Sequence, residues 1–222
     1  MLKLTIEWIY ETPTKQQITY RSEAVPAAHA FLLIEDMKKT GRMNSFSLTD
    51  EHDSEWTMKE LKKYLQELEI EPHNVQLYFD GGFNREEKLS GLGVVIYFEQ
   101  NNQHYRLRLN QQAHYLMSNN EAEYAALLFA IEQLEELGVH HQAIEVFGDS
   151  QVVINEMNGE WAVSDNALAS WADKVDAKLQ KLGLTAIYQY VERKQNDEAD
   201  QLANQALSGT EIFAKQQVKR KK

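Results

Sequence analysis

Apolar and polar positions alternate over Lys3–Tyr10 and Gln16–Arg21, which predicts two strands. A helix is predicted from Pro26 to Lys39, with Pro26 suited to its first turn and Gly41 to its end. A short strand follows at Met43–Leu48. In Thr57–Glu69, Met58, Leu61, Tyr64, Leu65 and Leu68 fall at helical spacing. Ile70-Glu71-Pro72-His73-Asn74 reads as a linker, because Pro72 discourages further helix.

The pattern changes after the linker. Val75–Phe79 is an apolar strand, and Gly91–Glu99 and His104–Leu109 are strands on either side of a polar turn, Gln100-Asn101-Asn102-Gln103. Asn120–Leu137 is a long helix stopped by Gly138, and Ala143–Gly148 is another apolar strand. Helices at Gln151–Asn158 and Asn166–Leu182, a strand at Thr185–Val191 and a helix at Asp197–Leu207 complete the series. The order β-β-β-α-β-α-α-β-α predicts an α/β domain, a mixed sheet with helices on its faces. Three segments result: a small α+β N-terminal domain (1–71), the α/β domain (72–210) and a basic, frayed C-terminal tail (211–222). No internal repeat is present.

Composition narrows the setting more than the function. The 222 residues are 43% hydrophobic and 26% charged, ordinary for a globular chain. There is no cysteine, so disulfides and thiolate metal sites are excluded. No apolar run approaches the ~20 residues that span a bilayer, and Met1–Glu7 lacks the basic flank and apolar stretch of a secretory signal. A cytoplasmic location, with no membrane partner, is the expectation. The net charge of −11 argues against a simple electrostatic grip on phosphate. Either clustered carboxylates hold divalent cations, which reverse that charge locally, or the chain binds no nucleic acid at all, and composition does not choose between the two.

Such a cluster can be named. Asp80 and Asp149 stand where apolar strands end, the usual place for reacting groups in open α/β sheets. Glu123 and Asp200 lie in the first turns of two helices. Four acids from four elements could meet at one point, and mutual repulsion would then demand cations.

The surrounding residues are Phe79-Asp80-Gly81-Gly82, Asn119-Asn120-Glu121-Ala122-Glu123-Tyr124-Ala125-Ala126-Leu127, Gly148-Asp149-Ser150-Gln151 and Asn196-Asp197-Glu198-Ala199-Asp200-Gln201-Leu202-Ala203. In order and element type they resemble the motifs of type 1 ribonuclease H over residues 75–207, in its short form without a basic protrusion. The resemblance implies a ribonuclease H-like fold with a mixed five-stranded sheet and helices on both faces. It also implies hydrolysis of the RNA strand of RNA–DNA hybrids with two magnesium ions, for which manganese can substitute, giving a 5′-phosphate and a 3′-hydroxyl. By resemblance Asp80 bridges both ions, Glu123 and Asp149 serve the ion near the leaving group, and Asp200 serves the ion near the water. Glu121 competes with Glu123 and Asp197 with Asp200, but the family spacing selects Glu123 and Asp200.

Substrate contacts carry two readings each. Asn119, Asn120 and Gln151 match positions that read the minor groove, where 2′-hydroxyls mark RNA. The plainer reading of Asn119 is a helix N-cap. Ser118 matches a residue near a DNA phosphate. Gly81 and Gly82 permit close backbone approach or simply a turn. Trp161 could stack on a nucleotide or sit in a core, and Arg193 could hold a phosphate or pair with an acid.

The chain departs from the family in three places. Gly159–Asn166 holds no Lys or Arg where some members insert a basic grip. Val191–Asn196 contains no histidine, and Phe83–Leu89 is not Gly- and Pro-rich. His140-His141 are expected to be solvent-exposed, and no zinc-hydrolase pattern is present. Two rival readings remain: a nuclease of the same superfamily with different specificity, and a weak or silent hybrid-binding or interaction protein. Residues 1–71 have no assigned role; packing against the second domain, dimerisation and partner binding are all open.

Overall fold

The alternation at the N-terminus becomes β1 (Lys3–Glu11), whose even positions Leu4 and Ile6 are buried. In the computed structural model, residues 2–163 and 165–219 are described, and the chain divides into two compact units, Met1–Ile70 and Glu71–Lys222. In the first unit β1 pairs antiparallel with β2 (Gln17–Arg21), and a two-residue strand β3 (Val25–Pro26) pairs with its start. After α1 (Ala27–Lys39), β4 (Met43–Thr49) flanks β1 on its other side, and α2 (Met58–Ile70) closes the unit. Pro26 is extended and precedes α1 instead of entering its first turn. Leu4, Ile6, Ala30, Ile34, Leu48 and Leu61 form the core. Thr57 and Glu60 exchange hydrogen bonds at the start of α2, a reciprocal cap of about 1 kcal/mol.

The second unit begins with an antiparallel meander: β5 (His73–Asn84), β6 (Leu89–Gln100) and β7 (Gln103–His114). Asn101 and Asn102, both at positive φ, make the tight β6–β7 turn. Next come α3 (Asn119–Glu136), β8 (Ala143–Gly148), α4 (Gln151–Met157), α5 (Asn166–Leu182), β9 (Thr185–Tyr190), a 3-10 turn at Arg193–Gln195 and α6 (Asp197–Leu207). β8 is parallel to β5 and to β9, so the sheet is mixed. One face packs Leu77, Phe79, Val94 and Ile96 against Tyr124, Leu127 and Ile131 of α3. The other face carries α6, whose Ala199 and Leu202 cover Val95. Gly93 makes that contact possible, since a Cβ there would lie 2.1 Å from the carbonyl oxygen of Ala199.

Two expectations are corrected. The segment read as a frayed tail contains a sixth strand, β10 (Phe213–Val218), paired along β7, so the sheet order is β10-β7-β6-β5-β8-β9. Phe213–Val218 has little apolar alternation. Its order comes from main-chain pairing, from Asn110 Oδ1 accepting the Ile212 N–H at 2.7 Å, and from Lys215 lying over the rings of Phe98 and Tyr105. The last residues of the basic tail, Arg220-Lys221-Lys222, lie outside the described residues. The second correction concerns β5, which does not end at Phe79. Gly81 and Gly82 continue its pairing with β6, opposite Leu92 and Gly91. They are strand residues, not a turn.

Candidate active site

The sheet itself brings the first two acids together. β5 and β8 run parallel up to the pair Tyr78↔Phe147, and Asp80 and Asp149 each lie two residues further on, where the two strands part. Asp80 therefore sits mid-strand with respect to β6 but at the sheet's parting with respect to β8. The third acid arrives from α3. Ser118 is the N-cap, its hydroxyl accepting from the Glu121 N–H at 3.2 Å, so the reading of Asn119 as the cap is overturned. Gly81 lets the first turn of α3 press on β5, which carries Glu123 to the cluster.

Asp80, Glu123 and Asp149 each offer a carboxylate oxygen within 4.8 Å of the others. Asp80 is 8% exposed and Glu123 6%. Loss of solvent, then the nearby Asp149 and Asp200, push the Asp80 carboxyl up to about 7. Burial, followed by Asp80 and Asp149, pushes Glu123 well above the usual carboxylate range. The Gly81 N–H bonds to Glu123, while Glu123 Oε2 is buried with no hydrogen-bond partner among the described residues. A buried acceptor without a donor costs about 1–3 kcal/mol. Three hard oxygen donors and one orphaned lone pair fit a divalent cation such as magnesium or manganese.

Asp200 stands in the first turn of α6, near enough to raise Asp80 but outside the close group of three. Its carboxylate is engaged by Arg193 and by Asn204 Nδ2 at 3.1 Å. Arg193 thus pairs with an acid, and its own side chain is 77% exposed. The rival acids have other partners. Glu121 accepts the Met117 N–H at 3.0 Å, stabilising the start of α3, and Asp197 accepts from Gln201. Glu198 takes Arg106, Arg108 and the Tyr97 hydroxyl. Asn120 and Gln151 lie in the first turns of α3 and α4, with Asn119 and Gln151 exposed. Trp161 is 48% exposed, not core. His140 and His141 are exposed.

One residue of the site escaped the sequence reading. Asn196 is buried beside Asp149, within a quoted motif but at a position where a cap is the ordinary explanation.

The fold and the placement of these acids define a ribonuclease H-like protein. The Reverse transcriptase-like family matches residues 78–206, and the chain belongs to it. An uncharacterized protein of Bacillus subtilis is 45% identical over 166 residues, 75% of this chain and 73% of that relative. Among solved structures, ribonuclease H1 of the halophilic archaeon Halobacterium salinarum superposes with a TM-score of 0.51 at 27% identity, covering 61% of this chain and 98% of that one. LC11-RNase H1, solved in complex with an RNA/DNA hybrid, gives 0.52 at 28% identity over 61% of this chain and 97% of its own. The resemblance to type 1 ribonuclease H seen in the motifs thus extends to the fold. Relatives and neighbours alike support a nuclease of the ribonuclease H kind.

Proposed function

We propose that this chain is a divalent-metal-dependent endoribonuclease that cuts the RNA strand of RNA–DNA hybrids. The observation that carries the reading is the trio Asp80, Glu123 and Asp149, the first two buried and Asp149 half-buried, with Glu123 Oε2 unpartnered among the described residues. Asp80, Glu123 and Asp149 would hold the cation, with Asp200 completing the set from α6. Divalent ions bound there supply the Lewis acidity that makes water nucleophilic at neutral pH and steadies the departing 3′ oxygen. The chain's own groups supply orientation. Asp80, its carboxyl pushed up to about 7 by burial and by neighbouring acids, would release its proton on holding a cation there. Asn119 and Asn120, at the start of α3, and Gln151, at the start of α4, present amides that suit 2′-hydroxyls in a minor groove. Ser118, Gly81 and Gly82 shape the adjoining backbone, and exposed Arg193 suits a phosphate once its hold on Asp200 is released.

A weaker or silent hybrid-binding role is favoured by one observation, that Arg193 occupies Asp200. Incubating the full-length protein with a labelled RNA–DNA hybrid, in magnesium and in chelator, tests the two. Chelator-sensitive cleavage of RNA alone supports the endonuclease. Binding without cleavage in any divalent ion supports the silent role.

A further inference from the structure

Asn196 holds the N-cap position of α6, where an asparagine side chain ordinarily turns back to accept the helix's own N–H groups. It makes no such bond. The side chain is buried, 1% exposed, and its Nδ2 donates at 2.9 Å to the Phe79 carbonyl oxygen and at 2.9 Å to Asp149 Oδ1. A residue serving only to start a helix would bond its own helix. One serving only to join α6 to β5 would need only Phe79.

We propose that Asn196 is a positioning residue that keeps the Asp149 carboxylate turned toward Asp80 and Glu123 before any cation arrives. The inference rests on the reading of the trio as a cation site. Like charges at this spacing repel, and a free Asp149 would rotate toward water. One amide hydrogen on Asp149 opposes that rotation, and the other fixes the amide to the residue just before Asp80. The same residue's backbone carbonyl accepts the Asp200 N–H at 3.1 Å, so one residue, through side chain and backbone, refers three of the four acids to one another. An amide suits this task for a chemical reason. It donates without carrying charge, whereas Lys or Arg would compete with the cation and Asp would add to the repulsion. Supporting groups of this kind typically alter metal affinity about 10- to 100-fold when removed.

The test is calorimetric binding of manganese to the full-length protein and to its Asn196→Ala and Asn196→Ser variants, with thermal melts in chelator to verify folding. Asn196→Ala is expected to weaken manganese binding about 10- to 100-fold. Asn196→Ser, whose hydroxyl can serve one of the two acceptors, is expected to weaken it less. Wild-type manganese affinity in either folded variant would overturn the inference while leaving the cation site intact. A wild-type protein that takes up no manganese would overturn both.

Discussion

Gly81 of β5 and Ala122 of α3 meet backbone to backbone: a Cβ on Gly81 would lie 2.2 Å from the Ala122 carbonyl carbon. This contact places Asp80 and Glu123, the neighbours of these two residues, side by side. Gly81→Ala must push the helix away, at a cost of about 1–3 kcal/mol or more for overpacking. It should lower the melting temperature and remove most hybrid cleavage, whereas a substitution that left both unchanged would show that the contact does not set the site.

Neutralising a member of the trio should separate stability from activity. Asp80→Asn and Glu123→Gln each replace a buried carboxyl, whose ionisation burial and the neighbouring acids oppose, with an amide that never ionises. Each is expected to abolish cleavage and yet raise the melting temperature of the metal-free protein at pH 8. Thermal melts beside a cleavage assay check this, and a lowered melting temperature would contradict it.

Glu121→Gln is expected to behave differently. Glu121 accepts the Met117 N–H outside the trio, so its loss as an ion should weaken the helix start by about 1 kcal/mol or less. Cleavage should stay within a few-fold of wild type. An inactive Glu121→Gln would reverse the assignment of the family acid.

The raised carboxyls give metal-free stability a pH slope of definite sign. Unfolded, Asp80 ionises near 4; folded, its carboxyl is held up to about 7, and Glu123 is raised in the same direction. Between roughly pH 4 and 7 the folded chain keeps protons that the unfolded chain has released, so this contribution falls as pH rises. Melts in chelator should therefore show a lower melting temperature at pH 8 than at pH 5.5. Saturating magnesium should recover most of the difference, more strongly at pH 8.

Much of this architecture was legible in periodicity and motif order. α5 and α6 span the residues that their spacing predicts, and the acids fall on the strands and helices of their motifs. What was not legible depended on partners distant in sequence. β10 is ordered by pairing with β7, which no local pattern in Phe213–Val218 announces. β5 runs through two glycines because β6 continues beside it, although glycine pairs ordinarily suggest a turn. Asn196 drew no reading of its own, because its bonds to Phe79 and Asp149 reach across more than 40 positions.

Anomalous diffraction from manganese-soaked crystals decides whether the acids of β5, α3 and β8 bind a divalent cation. A strong anomalous peak bounded by the carboxylates of Asp80, Glu123 and Asp149, and lost in Asp80→Asn, is the expected result. Ordered carboxylates with no manganese between them would contradict it.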